Sequence, residues 1–510
     1  MHCPSPLCAV LAFLSTTISA LALSNSNNLS SRRSNDYGIG TSATHKKYED
    51  LTINNSKLSL APMMNYTNRH FRAMIRLISS HTLLYTEMVA VDELLSTRQC
   101  DIHNLLGQSP VVPEGPSVLQ LGGNDSSQIY QAANLYYKQS QTNELKYTSL
   151  NLNCGCPSLA VSGKKCFGAA LMKDPLHVAT LVRAMHEGVN GDLPISIKCR
   201  IGLHNDDATP FTPDMYNKQS QKEYDKLHSF IDTIAADGIV TNFIIHTRIA
   251  VLGRGFSAAD NRKIPPLNYN YVRRLTSDFP GLRFVLNGGI HSLHRAKEEL
   301  EICDELTGVM VGRSMVADPW SGFAMTDELL YGDAEAQNQL CANRRELLQI
   351  YGRHVDYEEC YNDPAIIRRQ LVAPCAQLFA GEVNSKQFRM DLDEIAGRPK
   401  RLDKEAKARI WSIDTQSLGW DDLQAMDDAR PLWNENEPPL SELILEAAQR
   451  NFGDDLLNLS RRESYDRKLD RGPTHAQQEE NRILSIGSNG DCDKEVSGGV
   501  VEGWYSSGLN

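Results

Sequence analysis

From residue 57 onward the chain alternates two hydrophobic patterns. Short runs of consecutive apolar and β-branched residues recur: "LSLAP" (58–62), "LLYTEMV" (83–89), "SVLQLGG" (117–123), "YTSLNLNCG" (147–155), "ISIKCRIG" (195–202), "FIIHTR" (243–248), "RFVLNGGI" (283–290) and "GVMVGR" (308–313). Runs this short and this continuous predict strands buried on both faces. Between them lie segments of helical period, such as "SSQIYQAANLYYKQS" and "PLHVATLVRAMHEG". Eight strands separated by helices predict an α/β fold, a (β/α)8 TIM barrel of ordinary size, about 250 residues. A doubly wound open sheet is the competing architecture. The strand number, and a polar residue at nearly every strand C-terminus, favour the barrel.

Past residue 326 the period becomes helical throughout, as in "RRELLQIYGRHV" and "AIIRRQLVAPCAQLFAG". The expected organisation is a targeting or disordered N-terminal extension over 1–50, a barrel over 51–326, a small helical domain with an acidic extension over 327–455, and a disordered tail over 456–510.

Composition adjusts this picture in three places. A net charge of -11 argues against a nucleic-acid partner when taken alone. However, 420–455 carries ten acids against Arg430 and Arg450, so the functional body is less acidic than the whole chain. The 12 cysteines form no paired CxxC framework, which leaves free thiols in a reducing compartment as the expectation and no structural metal site. The N-terminus joins a short apolar run ending in Ser19-Ala20-Leu21-Ala22 to a Ser/Asn-rich stretch with Arg32 and Arg33, and no acid precedes Asp36. That combination predicts import into an organelle, plastid or mitochondrion, with the cytoplasm as the alternative. No other segment is expected to enter a membrane.

In a barrel the working groups gather at the strand C-terminal ends. Those ends supply Pro62-Met63-Met64, Glu87, Gln120, Asn153 to Cys156, Lys198, Arg200, His246, Arg248, Asn287-Gly288-Gly289 and Gly312-Arg313. Glycine turns after the seventh and eighth strands suit a phosphate, because backbone N–H groups can approach an anion closely there. Lys198 and His246 add side-chain donors on the same rim. A phosphorylated cofactor is the reading, and no GxGxxG or P-loop lysine points to a Rossmann dinucleotide or ATP site. The pair Cys154 and Cys156 stays open on these grounds: metal ligands, a redox pair, buried residues, or one working acid beside a bystander.

"LAPMMNYTNRHFRAMIR", "LLYTEMV", "LQLGG", "LNLNCGCPS", "FGAALM", "IKCRIG", "FIIHTR", "IPPL", "NGGI" and "GVMVGR", taken in this order, resemble the FMN-dependent tRNA-dihydrouridine synthases, and their A-type subfamily in particular. The resemblance runs over about 57–325 and continues more weakly into the helical region. It implies reduction of a tRNA D-loop uridine, U20 or U20a, driven by NADPH, by a chain expected to be a monomer. The cysteine directly before the proline, Cys156, is then the general acid: a hydride reaches uracil C6 from flavin N5 and the thiol protonates C5. Cys154 is left as packing. FMN contacts are implied for Pro62, Met63, Met64, Gln120, Lys198, His246, Asn287, Gly288, Gly289, Gly312 and Arg313. RNA contacts are implied for Asn153, Arg248, Arg262, Lys386 and Arg389, the last two sharing a helical face at a spacing of three. Departures from the family pattern are Ala160 in place of a basic residue, the neighbouring Lys164, Lys165 and Cys166, Ala259 in place of a lysine, and a longer segment over 204–222. Two alternatives stand beside this reading: a small-molecule FMN oxidoreductase of the dihydroorotate dehydrogenase type, and a non-catalytic RNA-binding protein on the same fold.

Overall fold

A computed structural model describes residues 55–98, 102–142, 146–158, 161–162, 166–204, 211–216, 220–253, 255–333, 341–399 and 438–471. The expected targeting segment, Ala160, Lys164, Lys165, Arg254 and the chain beyond 471 lie outside the described residues.

All eight expected strands form, as β1 (Leu58–Leu60), β2 (Leu83–Ala90), β3 (Ser117–Gly122), β4 (Ser149–Cys154), β5 (Ile195–Arg200), β6 (Val240–His246), β7 (Arg283–Asn287) and β8 (Gly308–Val311). They close in parallel, with β1 bonded to both β2 and β8. The longer helices packed around them are α1 (Arg69–Ile78), α2 (Ser126–Thr142), α3 (Pro175–Gly188), α4 (Gln221–Ala235), α5 (Tyr269–Asp278) and α6 (Leu293–Ile302).

The pleat sorts side chains into two cores. Leu150, Leu152 and Cys154 of β4, like Ile197 and Cys199 of β5, join the large core that includes the surrounding helices. A separate cluster of Leu83, Tyr85, Val118, Ile244, Val285 and Met310 plugs the barrel interior. The interior also carries a polar ladder. Asn153 Nδ2 donates to Gln120 Oε1 (2.9 Å), Gln120 Nε2 to Asn151 Oδ1 (2.7 Å), and Asn151 Nδ2 to Ser196 Oγ (2.8 Å). A closed chain of amides satisfies groups that would be costly to bury unpaired.

Helices α7 (Arg344–Tyr361), α8 (Pro364–Val372) and α9 (Ser385–Gly397) form the helical part. It docks on α1 through buried polar groups. Arg69 grips Glu358 with two bonds, Nε to Oε1 at 3.0 Å and Nη2 to Oε2 at 2.6 Å. His70 Nδ1 lies 2.9 Å from His354 Nε2, and His354 Nδ1 lies 2.9 Å from Ser109 Oγ.

Two elements differ from the expectation. Residues 203–204 and 250–251 pair as a small parallel ladder beside the barrel mouth. The boundary drawn at 455 is also wrong for the described residues, because α10 (Leu440–Leu457) runs past it and α11 (Arg461–Arg471) follows. The sequence of α11 reads as solvated because charge rather than apolar surface holds it. The buried Arg461 guanidinium donates to the carbonyls of Cys341 (2.6 Å), Ala324 (3.1 Å), Leu77 (3.3 Å) and Ile78. Lys468 pairs with Asp318 at 2.7 Å, and Arg467 with Glu382 at 3.3 Å. Among the described residues no helix is long and apolar enough to cross a membrane.

Candidate active site

The strand ends converge on one mouth, and two structures shape it. The first is the turn after β4. Asn153 Oδ1 accepts from the amides of Gly155 and Cys156, both at 3.0 Å, while Asn153 Nδ2 is anchored on the interior ladder. This fixes Cys156, half-buried and free, at the end of the strand. Arg200 holds the same turn from below, donating from Nε to Gly155 O (3.0 Å) and from Nη1 to Ile249 O (3.0 Å) and Asn261 O (2.9 Å). Cys154, two residues earlier, is fully buried and free, and burial pushes its thiol well up.

The second is a set of cations around the last strands. Lys198 Nζ donates to Asn287 Oδ1 (3.0 Å), and Asn287 Nδ2 to Met310 O (2.8 Å). Burial, aided by Arg200, lowers Lys198 to about 8. Burial likewise holds His246 well below its ordinary value, and Arg200, Lys198, Arg248 and Arg262 push in the same direction. Arg262 is lowered to about 10 by burial and by Arg313, and its buried Nε has no hydrogen-bond partner. The groups acting on His246 are all cationic, so this side of the mouth lacks only a compensating negative charge.

Gly288 and Gly289 have φ of +112° and +70°. A methyl group on Gly288 would stand 2.6 Å from His246 Cδ2, so only glycine fits between the turn and the imidazole. The cradle therefore offers amides, a neutral histidine, a lysine and an unsatisfied guanidinium nitrogen. These are donors suited to a phosphate.

The structure brings together most, not all, of the residues singled out from sequence. Met63 packs against the interior plug, and Met64 is 56% exposed at the lip next to Pro62. Gln120 is fully buried, with both ends of its amide used in the ladder. Gly312 precedes a short helix begun by Arg313, and a methyl group there would meet nothing closer than Met63 Sδ at 3.6 Å. Asn153 is buried and supports the cysteine turn. Arg248 is a correction: expected to reach RNA, it is 5% exposed and donates to the carbonyls of Lys263 (3.4 Å) and Pro265, so it ties down the loop that carries Arg262. Lys386 and Arg389 stand on α9 in the helical part and not at the mouth. Arg200 lies at a strand end and Glu87 within β2, but their partners are backbone groups of distant loops, which leave no sequence pattern.

Among the described residues His70, His354 and Glu358 bring ligand-type atoms within 4.8 Å of one another. Their atoms are already engaged: the imidazoles bond each other and Ser109, and both Glu358 oxygens face Arg69. We read this cluster as the barrel-to-helix contact.

Fold and mouth together define a (β/α)8 barrel whose rim carries a glycine turn ringed by cations and a thiol fixed at a strand end. Residues 59–411 match the family described as dihydrouridine synthase. A tRNA-dihydrouridine(20/20a) synthase of Xanthomonas axonopodis pv. citri is 36% identical over 344 residues, covering 67% of this chain and 90% of that protein. One of the same name from Shewanella oneidensis is 39% identical over 349 residues, 68% and 91% of the two chains. One from Escherichia coli is 35% identical over 340 residues, 67% and 86%. The chain belongs to the dihydrouridine synthase family.

Proposed function

We propose that this protein reduces uridine to 5,6-dihydrouridine in the D-loop of tRNA, at U20 or U20a, with FMN as cofactor and NADPH as reductant. The observation that carries the reading is the half-buried Cys156 on a turn locked by Asn153, within electrostatic reach of Lys198, Arg200 and Arg262. A target base in folded RNA must leave its stack to reach such a mouth.

When bound, reduced FMN supplies the hydride for C6 of the uracil. Lys198 would meet the polar edge of the flavin ring, and His246, the Gly288 turn and the Gly312-Arg313 turn would hold the phosphate end of the cofactor. Asn153 fixes the backbone of residues 155 and 156, so that Cys156 Sγ keeps its proton aimed at one place and delivers it at C5. Arg262, on a loop tied down by Arg248 and Asn261, offers its guanidinium to the RNA backbone at the lip. Lys386 and Arg389 extend that contact along the helical part.

The test is dihydrouridine content at each D-loop position after incubating unmodified tRNA and NADPH with FMN-loaded protein. Product at U20 or U20a with wild type, and little with Cys156→Ala, is expected. No product from a flavin-loaded wild type overturns the tRNA assignment and moves the small-molecule oxidoreductase to first place.

A further inference from the structure

Between Tyr85 and Met88 the register of β2 against β3 shifts, which marks a bulge at Thr86 and Glu87. The Thr86 hydroxyl stabilises it, accepting from the Gln120 amide (3.0 Å) and donating to Glu87 O (2.7 Å). Bulges of this kind re-aim a side chain. Here the re-aimed side chain is a half-buried carboxylate beside the β1 loop.

That loop, 62–67, carries Met63 and Met64. It is a tight fold in which the amides of Tyr66 and Thr67 both donate to Met63 O at 3.0 Å and the Met63 amide donates to Thr67 Oγ1 at 3.0 Å. Asn65 at its tip has φ of +65°, a conformation that needs support in a residue other than glycine. The support is Glu87, whose carboxylate accepts from the Asn65 amide and from the Tyr66 amide. The charged side chain facing Glu87 is Arg72 on α1, and Arg72 is itself neutralised by Glu114 at 2.7 Å and bonded to Thr67 O at 2.8 Å. The neighbours within the sheet are Thr86 on β2 and Gln120 on β3, both uncharged. Two amides and a shared guanidinium therefore compensate the Glu87 charge.

We propose that Glu87 is a positioning residue for the flavin: its carboxylate holds the β1 loop in the shape that receives the ring, and protonation releases that grip. The proposal rests on the reading that a flavin occupies this mouth. A protonated carboxyl keeps one good acceptor and gains a donor that faces amide hydrogens, so the grip on the Asn65 amide weakens, while the Tyr66 amide keeps Met63 O. Burial raises the carboxyl above its ordinary value, so the release comes at higher pH than it would for a solvated glutamate.

The experiment measures flavin affinity of the full chain by fluorescence quenching, between about pH 5 and 8, with FMN and with riboflavin. Riboflavin lacks the phosphate, so it removes the titration of His246 from the result, and Lys198, lowered to about 8, titrates at the alkaline end and adds no acid limb. Wild-type affinity for both flavins is expected to fall about tenfold or more toward the acid end, the scale of one lost charge-assisted bond. Glu87→Gln, which keeps one acceptor, is expected to bind about tenfold more weakly at neutral pH and to show no acid limb. A wild-type riboflavin affinity that is flat with pH, or a variant that retains the acid limb, overturns the proposal without needing the variant to be active. Failure of the wild type to bind FMN at neutral pH instead overturns the flavin reading itself.

Discussion

Two buried polar regions of this molecule look alike in composition and differ in how their charges close. At the contact between barrel and helical part, Arg69 meets Glu358, His70 meets His354, and His354 meets Ser109. Burial pushes the Glu358 carboxyl up, but Arg69, His70 and His354 together outweigh it and hold the group well below the ordinary range. At the barrel mouth, Lys198, Arg200, His246 and Arg262 crowd together, and the charges acting on His246 are all positive. The first region balances its own charge and makes structure. The second leaves its charge open, which costs stability unless a ligand completes it. A buried cation cluster is thus informative about function only when its partners are counted.

The sharpest way to break the comparison is at the thiol that the open region surrounds. Cys156→Ala should lower dihydrouridine formation by about a hundred- to ten-thousand-fold, the usual weight of a general acid, with no loss of thermal stability in calorimetry. At the closed region the effects should be reversed. Glu358→Gln leaves Arg69 buried with one acceptor and no compensating charge from this position, and should cost about 3–5 kcal/mol in denaturant unfolding, while the protein that remains folded still binds flavin. Gly288→Ala adds a methyl group 2.6 Å from His246 in a backbone of φ +112°. It should cost roughly 1–3 kcal/mol of stability and weaken FMN far more than riboflavin. Equal weakening of both would place the phosphate elsewhere.

The smallest effect is the acid response of the closed region. Burial lowers His354 to about 4 and holds His70 well below its ordinary value. The unfolded chain therefore binds protons that the native state refuses, so stability falls as pH drops from about 6.5 toward about 4. His354→Gln should flatten that slope; an unchanged slope would mean that other groups carry the acid response.

The barrel was legible because burial on two faces forces continuous apolar runs, and all eight of those runs became strands. That glycine and charged residues meet at one mouth was legible because they recur at strand ends, which a barrel brings together. What escaped was set by long-range bonds to backbone. Arg248 reads as a rim cation in sequence, yet carbonyls 15 and 17 residues away draw it inward. The same holds for α11, whose polar sequence conceals that Arg461 reaches carbonyls more than 100 residues earlier. Nor does an alternating strand announce a bulge, so the role of Glu87 came only from the shifted register of β2.

The alternation of β4 also constrains how this gene can change. Along Leu152, Asn153 and Cys154, successive side chains serve the outer core, the interior ladder and the outer core again. Loss or gain of one codon within this strand would exchange the two sets at once. The Cys154 thiol would enter the lumen and an asparagine amide would face the helices. Drift in length is therefore barred here, whereas substitutions that keep size and polarity on each side remain open, and the distance from β4 to Cys156 acts as a fixed ruler.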